Sequence, residues 1–180
     1  MADKLVVCKE NIVKIQIGPG AVSKTNTTDT FYLIAGQTEC EFTDEITSQD
    51  SAFKNTIWDV STPTRHKATA SVTCRRIADD PVQLHLLKTA ENVGDDCRVQ
   101  AEILSGDGAI RKGIFNVSIS NAGVSGAAGD LADLVIDLNC ATADGIDLTW
   151  DSNNTAYTTA ASELAAMKLG PVNPGTSTDH

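Results

Sequence analysis

Aromatic side chains make up only 4% of the 180 residues, with two tryptophans and two tyrosines among them. Sugar-binding clefts and large apolar active sites rely on clustered aromatics, and Trp58 and Trp150 have no such company. Cations are also in deficit. Fourteen Lys and Arg stand against twenty-four Asp and Glu, a formal charge of −10. That balance argues against a sequence-independent grip on nucleic acid phosphates. An acidic body can still sit beside DNA if its task is to avoid binding it. The three histidines, at 66, 85 and 180, are not spaced as metal ligands. Five cysteines, at 8, 40, 74, 97 and 140, are an odd number without a C-x-x-C pair. They fit neither a zinc site nor a disulfide framework and read as small buried hydrophobes in a reducing cytosol. The opening MADKLVVC lacks the regions of a signal peptide, and no apolar run approaches bilayer length. No G-x-S-x-G elbow is present, and the Gly106-Asp107-Gly108 turn precedes no helix that would offer its N-terminus to phosphate. The expectation is no catalytic residue, no metal and no cofactor.

What the chain does have is alternation. Cys40, Phe42 and Ile46 alternate with Glu39, Glu41, Thr43 and Glu45, so a strand here carries three carboxylates on its polar face. Ala68, Ala70, Val72 and Cys74 alternate with Thr69, Ser71, Thr73 and Arg75. Between these runs, 47–67 has no sustained period yet holds Phe53, Ile57 and Trp58, which predicts a long loop in search of a burial site. Asp80 followed by Pro81 predicts a helix over about 80–92, with Gly94 as its stop. Residues 97–104 and 111–120 alternate on either side of the glycine turn and predict a hairpin, with Arg98, Gln100 and Glu102 on its polar phase. Leu134, Ile136, Leu138 and Cys140, opposed by Asp133, Asp137 and Asn139, predict a last long strand. Residues 144–150 are mixed, 152–159 are polar, and 160–169 predict a short helix stopped by Gly170-Pro171. Earlier, Val13, Ile15 and Ile17 share one face of a short strand, and 23–30 is polar.

These readings amount to one mainly β (α+β) domain, an antiparallel sandwich or barrel with a flanking helix. Its core covers about 31–150, with an N-terminal arm 1–30 and a C-terminal extension 151–180. A face carrying Glu39, Glu41, Glu45, Glu102 with Arg98, Asp133 and Asp137 would be predominantly acidic if the strands share a sheet.

The order of these elements resembles the major tail tube proteins of long-tailed, non-contractile bacteriophages, relatives of which occur in gene transfer agents. The resemblance covers about 31–150. It rests on LIAG at 33–36 leading into an acidic strand, and on EITSQDS at 45–51 opening a long segment that contains Trp58. KATASVT at 67–73, DDPV at 79–82, and the hairpin CRVQAEIL to GIFNVSIS follow, then a strand after a Gly/Ala loop. Cys74-Arg75 stands where the family often has glycine. The resemblance implies hexameric rings stacked into a hollow tube that conducts the genome from capsid to host cell. Made in the host cytoplasm, such a protein ends in the virion tail. Its partners there would be its own copies, a tape measure protein and double-stranded DNA in the lumen, and a terminator and a distal tail protein at the ends, with no membrane. Lumen-facing residues would be Glu39, Glu41, Glu45, Arg98, Gln100, Glu102, Asp133 and Asp137. Phe53, Ile57 and Trp58 would meet the next ring. The competing expectations are a related ring-forming tail terminator or secretion-tube subunit, and a monomeric β-sandwich binding module.

Overall fold

A computed structural model describes residues 11–17, 30–52, 59–77, 79–122, 132–143 and 145–167. Within them eight strands form one antiparallel sheet. They are β1 (Asn11–Gln16), β2 (Phe31–Leu33), β3 (Gln37–Ala52), β4 (Asp59–Arg75), β5 (Arg98–Ser105), β6 (Ala109–Asn121), β7 (Asp133–Cys140) and β8 (Asp147–Trp150). Two α-helices, α1 (Pro81–Ala90) and α2 (Thr155–Met167), and a 3-10 turn at Gly94–Cys97 complete the architecture. The strand order is β2-β1-β5-β6-β7-β4-β3, and β8 pairs with the start of β6. The fold class expected from the alternation is the one observed.

The far ends of that order are joined by side chains. Gln37, at the start of β3, accepts from the Val13 N–H at 3.0 Å and donates to the Val13 carbonyl at 2.8 Å. It stands in for a strand residue where β2 has ended. Asn11 donates to the Cys40 carbonyl beside it, at 3.3 Å. The sheet thereby rolls into a barrel whose seam is amide side chains rather than a backbone ladder. Inside lie the residues of the apolar phase, including Val13, Ile15, Val72, Phe115, Ile136 and Leu138, all buried. Each such side chain removed from water contributes about 1.5–3 kcal/mol.

α1 caps this interior with Val82 and Leu86. Asp80 accepts from the Gln83 N–H at 2.8 Å, and Pro81 takes the first helical position, as the sequence predicts. Gln83 then turns inward. It accepts from the Ile77 N–H at 2.9 Å and donates to the carbonyls of Ala35 at 2.9 Å and Arg75 at 2.8 Å. Gly36 closes the same corner with φ +71, where an added Cβ would lie 2.9 Å from the Arg75 carbonyl oxygen.

Three expectations are corrected. The stretch 47–67 is mostly paired strand, since β3 continues to Ala52 and β4 begins at Asp59. The side chains of 47–50 and 61–67 are exposed on both faces, so no alternation marks these parts of the strands. The ladder alone sustains a projecting arm, with Pro63 next to a register shift where a lost N–H is tolerated. Phe53, Ile57 and Trp58 lie outside the described residues. Residues 11–16, expected in an arm, sit between β2 and β5 as an inner strand. The mixed segment 144–150 contains β8, and the final helix starts at Thr155 rather than 160.

That earlier start has a local cause. The Asp151 carboxylate accepts from the N–H groups of Ala156 at 2.8 Å and Asn153 at 3.1 Å, an N-terminal cap. The Ala156 N–H bond foremost, then that of Asn153, holds its pKa below the ordinary aspartate value. Asn154 donates to the Gly106 carbonyl at 2.7 Å, so the turn before α2 is latched to the β5–β6 turn. α2 then lays Ala156, Tyr157, Ala160 and Leu164 over Ile12, Leu33 and Leu104, a second small core on the outer face. A group with a depressed folded pKa stabilises above its unfolded value, and that contribution disappears as pH falls through the folded value. Acidification below the usual aspartate range should therefore loosen the start of α2. Exchange of the Ala156 amide, followed by NMR against pH, should rise in acid for the native chain and be fast and pH-insensitive beyond the intrinsic rate in Asp151→Ala. Equal protection in both would refute the cap.

Candidate functional site: an acidic sheet face

The polar phases of β3, β4 and β7 form one continuous outer face. Glu41 lies opposite Ser71, Ser71 opposite Asp137, and Asp137 opposite Ser118. The Ser71 hydroxyl donates to Asp137 Oδ1 at 2.9 Å, which fixes that carboxylate in place. Glu39 lies one row away, opposite Thr73, and Asp133 pairs in register with Arg75. Glu45 is opposite Lys67, whose Nζ approaches it to 3.9 Å across a fully solvated gap. Such an exposed pair is worth little. Five predicted carboxylates are thus brought onto one face, with Lys67 and Arg75 as the cations set among them. Threonine and serine fill the positions between, Thr43, Thr69 and Ser118 among them. These side chains are short, so the face is smooth as well as acidic.

The three expected residues of β5 are placed differently. Arg98, Gln100 and Glu102 keep the same phase but stand beyond β6. Arg98 is tied to Asp95 at 2.8 Å. Glu102 lies in register between Lys14 and Lys112, which balance its charge. Gln100 is fully buried, as is its cross-strand neighbour Gln16, and neither amide has a hydrogen-bond partner among the described residues. Phase alone put Gln100 on an open surface. Burial overturned that placement, because this part of the outer face is covered. The open acidic region is therefore β3, β4 and β7.

Cysteine chemistry is muted. Burial foremost pushes the thiols of Cys40 and Cys74 up to about 12, so both are protonated at neutral pH and are poor nucleophiles. Cys74 donates weakly to the Leu134 carbonyl at 3.6 Å, as a core side chain does. His85, half-buried on α1, has its pKa lowered by that burial and by Lys88. Neither described helix is long and apolar enough to cross a membrane.

No family model and no curated protein sequence matches the chain. Solved structures do. A chain in the virion of a native gene transfer agent particle aligns over 76% of this chain and 95% of its own, with 13% identity and a TM-score of 0.54. One from the tail of an empty gene transfer agent particle, refined with helical and C6 symmetry, aligns over 77% and 95%, at 14% identity and TM-score 0.51. The SPP1 tail tube protein aligns over 95% of this chain and 93% of its own, at 11% identity and TM-score 0.55. The chain has the tail tube fold.

Proposed function

We propose that this protein is the structural subunit of a virion tail tube, assembling as hexameric rings that stack into a conduit for double-stranded DNA. The observation that carries this reading is the near end-to-end likeness to the SPP1 tail tube protein, which leaves little of either chain unmatched. The C6 symmetry of the similar gene transfer agent tail supports six as the ring number proposed here. Unpaired strand edges are a hazard for a monomer, and copies arranged in a closed ring remove them. The work of such a subunit is assembly, and no chemical step is assigned to it.

In this reading the β3–β4–β7 face lines the lumen. Six copies of a chain with formal charge −10 carry about −60. A carboxylate-lined wall repels phosphate, so DNA slides without being held, the reverse of the lysine and arginine contacts that clamp it. The hydroxyl-bearing side chains between the carboxylates offer it no cationic partner either. The tape measure protein would fill the same space before ejection, and the terminator and distal tail proteins would close the two ends.

Size-exclusion chromatography with negative-stain microscopy should show rings and hollow tubes of constant width. A stable monomer across the micromolar range would count decisively against the reading. The lumen assignment is tested separately. Glu39→Lys, Glu41→Lys and Asp137→Lys together should leave tubes intact while reducing genome delivery by an order of magnitude or more, since each reversal adds a phosphate contact. Normal infectivity of particles carrying all three changes would place the face elsewhere.

A further inference from the structure

One end of the barrel is capped by α1. The other is open. Between the base of the β3–β4 arm and β8 lies a cavity of about 720 Å³, lined by Phe42, Arg65, His66, Arg111, Ile146 and Leu148 among others. The mouth is apolar and cationic in a chain that is otherwise acidic. Arg111 lies over the Phe42 ring at 4.7 Å, and neither Arg111 nor Arg65 pairs with a carboxylate among the described residues. Asp44 is the one acidic side chain of the lining, and it is engaged with His66 at 3.4 Å. Leu148 is 52% exposed in the lining, and Ile46, next along the same face of β3, is 57% exposed.

The opposite end carries the converse surface. In the turn after α1, Val93 is 85% exposed, the most exposed of the large apolar side chains described. Glu91 and Asp96 flank it, exposed and without a cation partner among the described residues. Along β4 the mouth at Ala68 and the α1 anchor at Arg75 are seven residues apart, about 23 Å of extended chain.

We infer that the mouth of one copy receives the 91–96 turn of a second copy, head to tail, with Val93 against Leu148 and Ile46, and with Glu91 and Asp96 facing Arg65 and Arg111. The inference rests on the assembly reading above and names the surfaces that join one ring to the next. Two different patches at opposite ends of a subunit make a heterologous contact. Repeated without closure, it gives a filament rather than a closed oligomer. Charge complementarity also fixes polarity, because mouth against mouth brings arginines together and turn against turn brings carboxylates together.

A charge exchange tests it in the full chain. Arg65→Glu and Asp96→Arg each alter an exposed residue, so the melting temperature of the dissociated chain serves as a control for folding. Each single change should raise the concentration needed for tube growth about tenfold, and the two together should return it to within about threefold of the native value. A second readout uses Val93→Cys with Leu148→Cys, which should yield an oxidant-dependent ladder of cross-linked oligomers on non-reducing gels. Single variants that elongate like the native chain, or a combination no better than the worse single, would overturn the contact while leaving the tube reading in place. A native chain that never leaves the monomer would overturn both.

Discussion

Replacing Gln37 with leucine should destabilise the protein by about 3–5 kcal/mol, although the two side chains are close in volume. The side chain is buried, and it makes three hydrogen bonds, two to Val13 and one to the Ile34 carbonyl at 3.1 Å. Leucine fills the space but leaves a backbone N–H and two carbonyls without partners. Each such orphan costs about 1–3 kcal/mol, because water cannot reach it in the folded state. For a chain of this size the midpoint of thermal unfolding should fall by on the order of 10 °C. Urea denaturation gives the free energy directly. Gln37→Glu should be as harmful or worse, since it keeps the acceptor for Val13 but loses both donors and buries a charge. A loss below about 1 kcal/mol for both variants would mean that the barrel does not depend on this seam.

Gln83→Leu should be of comparable severity, about 3–4 kcal/mol, for the same physical reason at a different joint. Its amide satisfies the Ile77 N–H and the carbonyls of Ala35 and Arg75, three main-chain groups from two segments that no ladder reaches. The variant should also show a local signature. Exchange of the Ile77 amide should accelerate more than that of β6 amides, because α1 keeps its apolar anchors Val82 and Leu86 while its start works loose. The two glutamines approach the same corner, since Gln37 holds Ile34 and Gln83 holds Ala35. The double variant should therefore lose less than the sum of the singles, as neighbours sharing one structural unit do. Strict additivity would show that the corner is not a unit.

These two residues also mark where reading the chain fell short. Alternation exposed the strands because a half-buried strand must place apolar residues two apart, and Leu134, Ile136 and Leu138 obey that rule without exception. The Asp80-Pro81 start was equally legible, since capping is chemistry between neighbours. Gln37 and Gln83 were not, because a glutamine looks the same in solvent as in a barrel seam until its partners, up to forty-eight residues away, are known. The projecting arm escaped for the opposite reason. Residues 47–50 and 61–65 are exposed on both faces, so their strand character leaves no periodic trace. For the acidic face, phase identified which side Glu41 and Asp137 take, and cross-strand register showed that they are joined through Ser71. Gln100 shared their phase and proved buried. Periodicity assigns a side of the sheet, and whatever lies over that side decides whether solvent reaches it.

The position of β1 has a bearing on timing. Its longer pairing partner is β5, so Ile12 waits for Leu104, and the β2 pairing at Leu33 is only three residues long. During synthesis nearly a hundred residues must leave the ribosome before β1 can find its longer partner, β5. Such distant pairings slow the search, and all-β domains dominated by them fold in milliseconds to seconds. The nascent chain therefore spends that interval with an incomplete barrel, which closes around β1 only once the β5–β6 hairpin has been made and admits it.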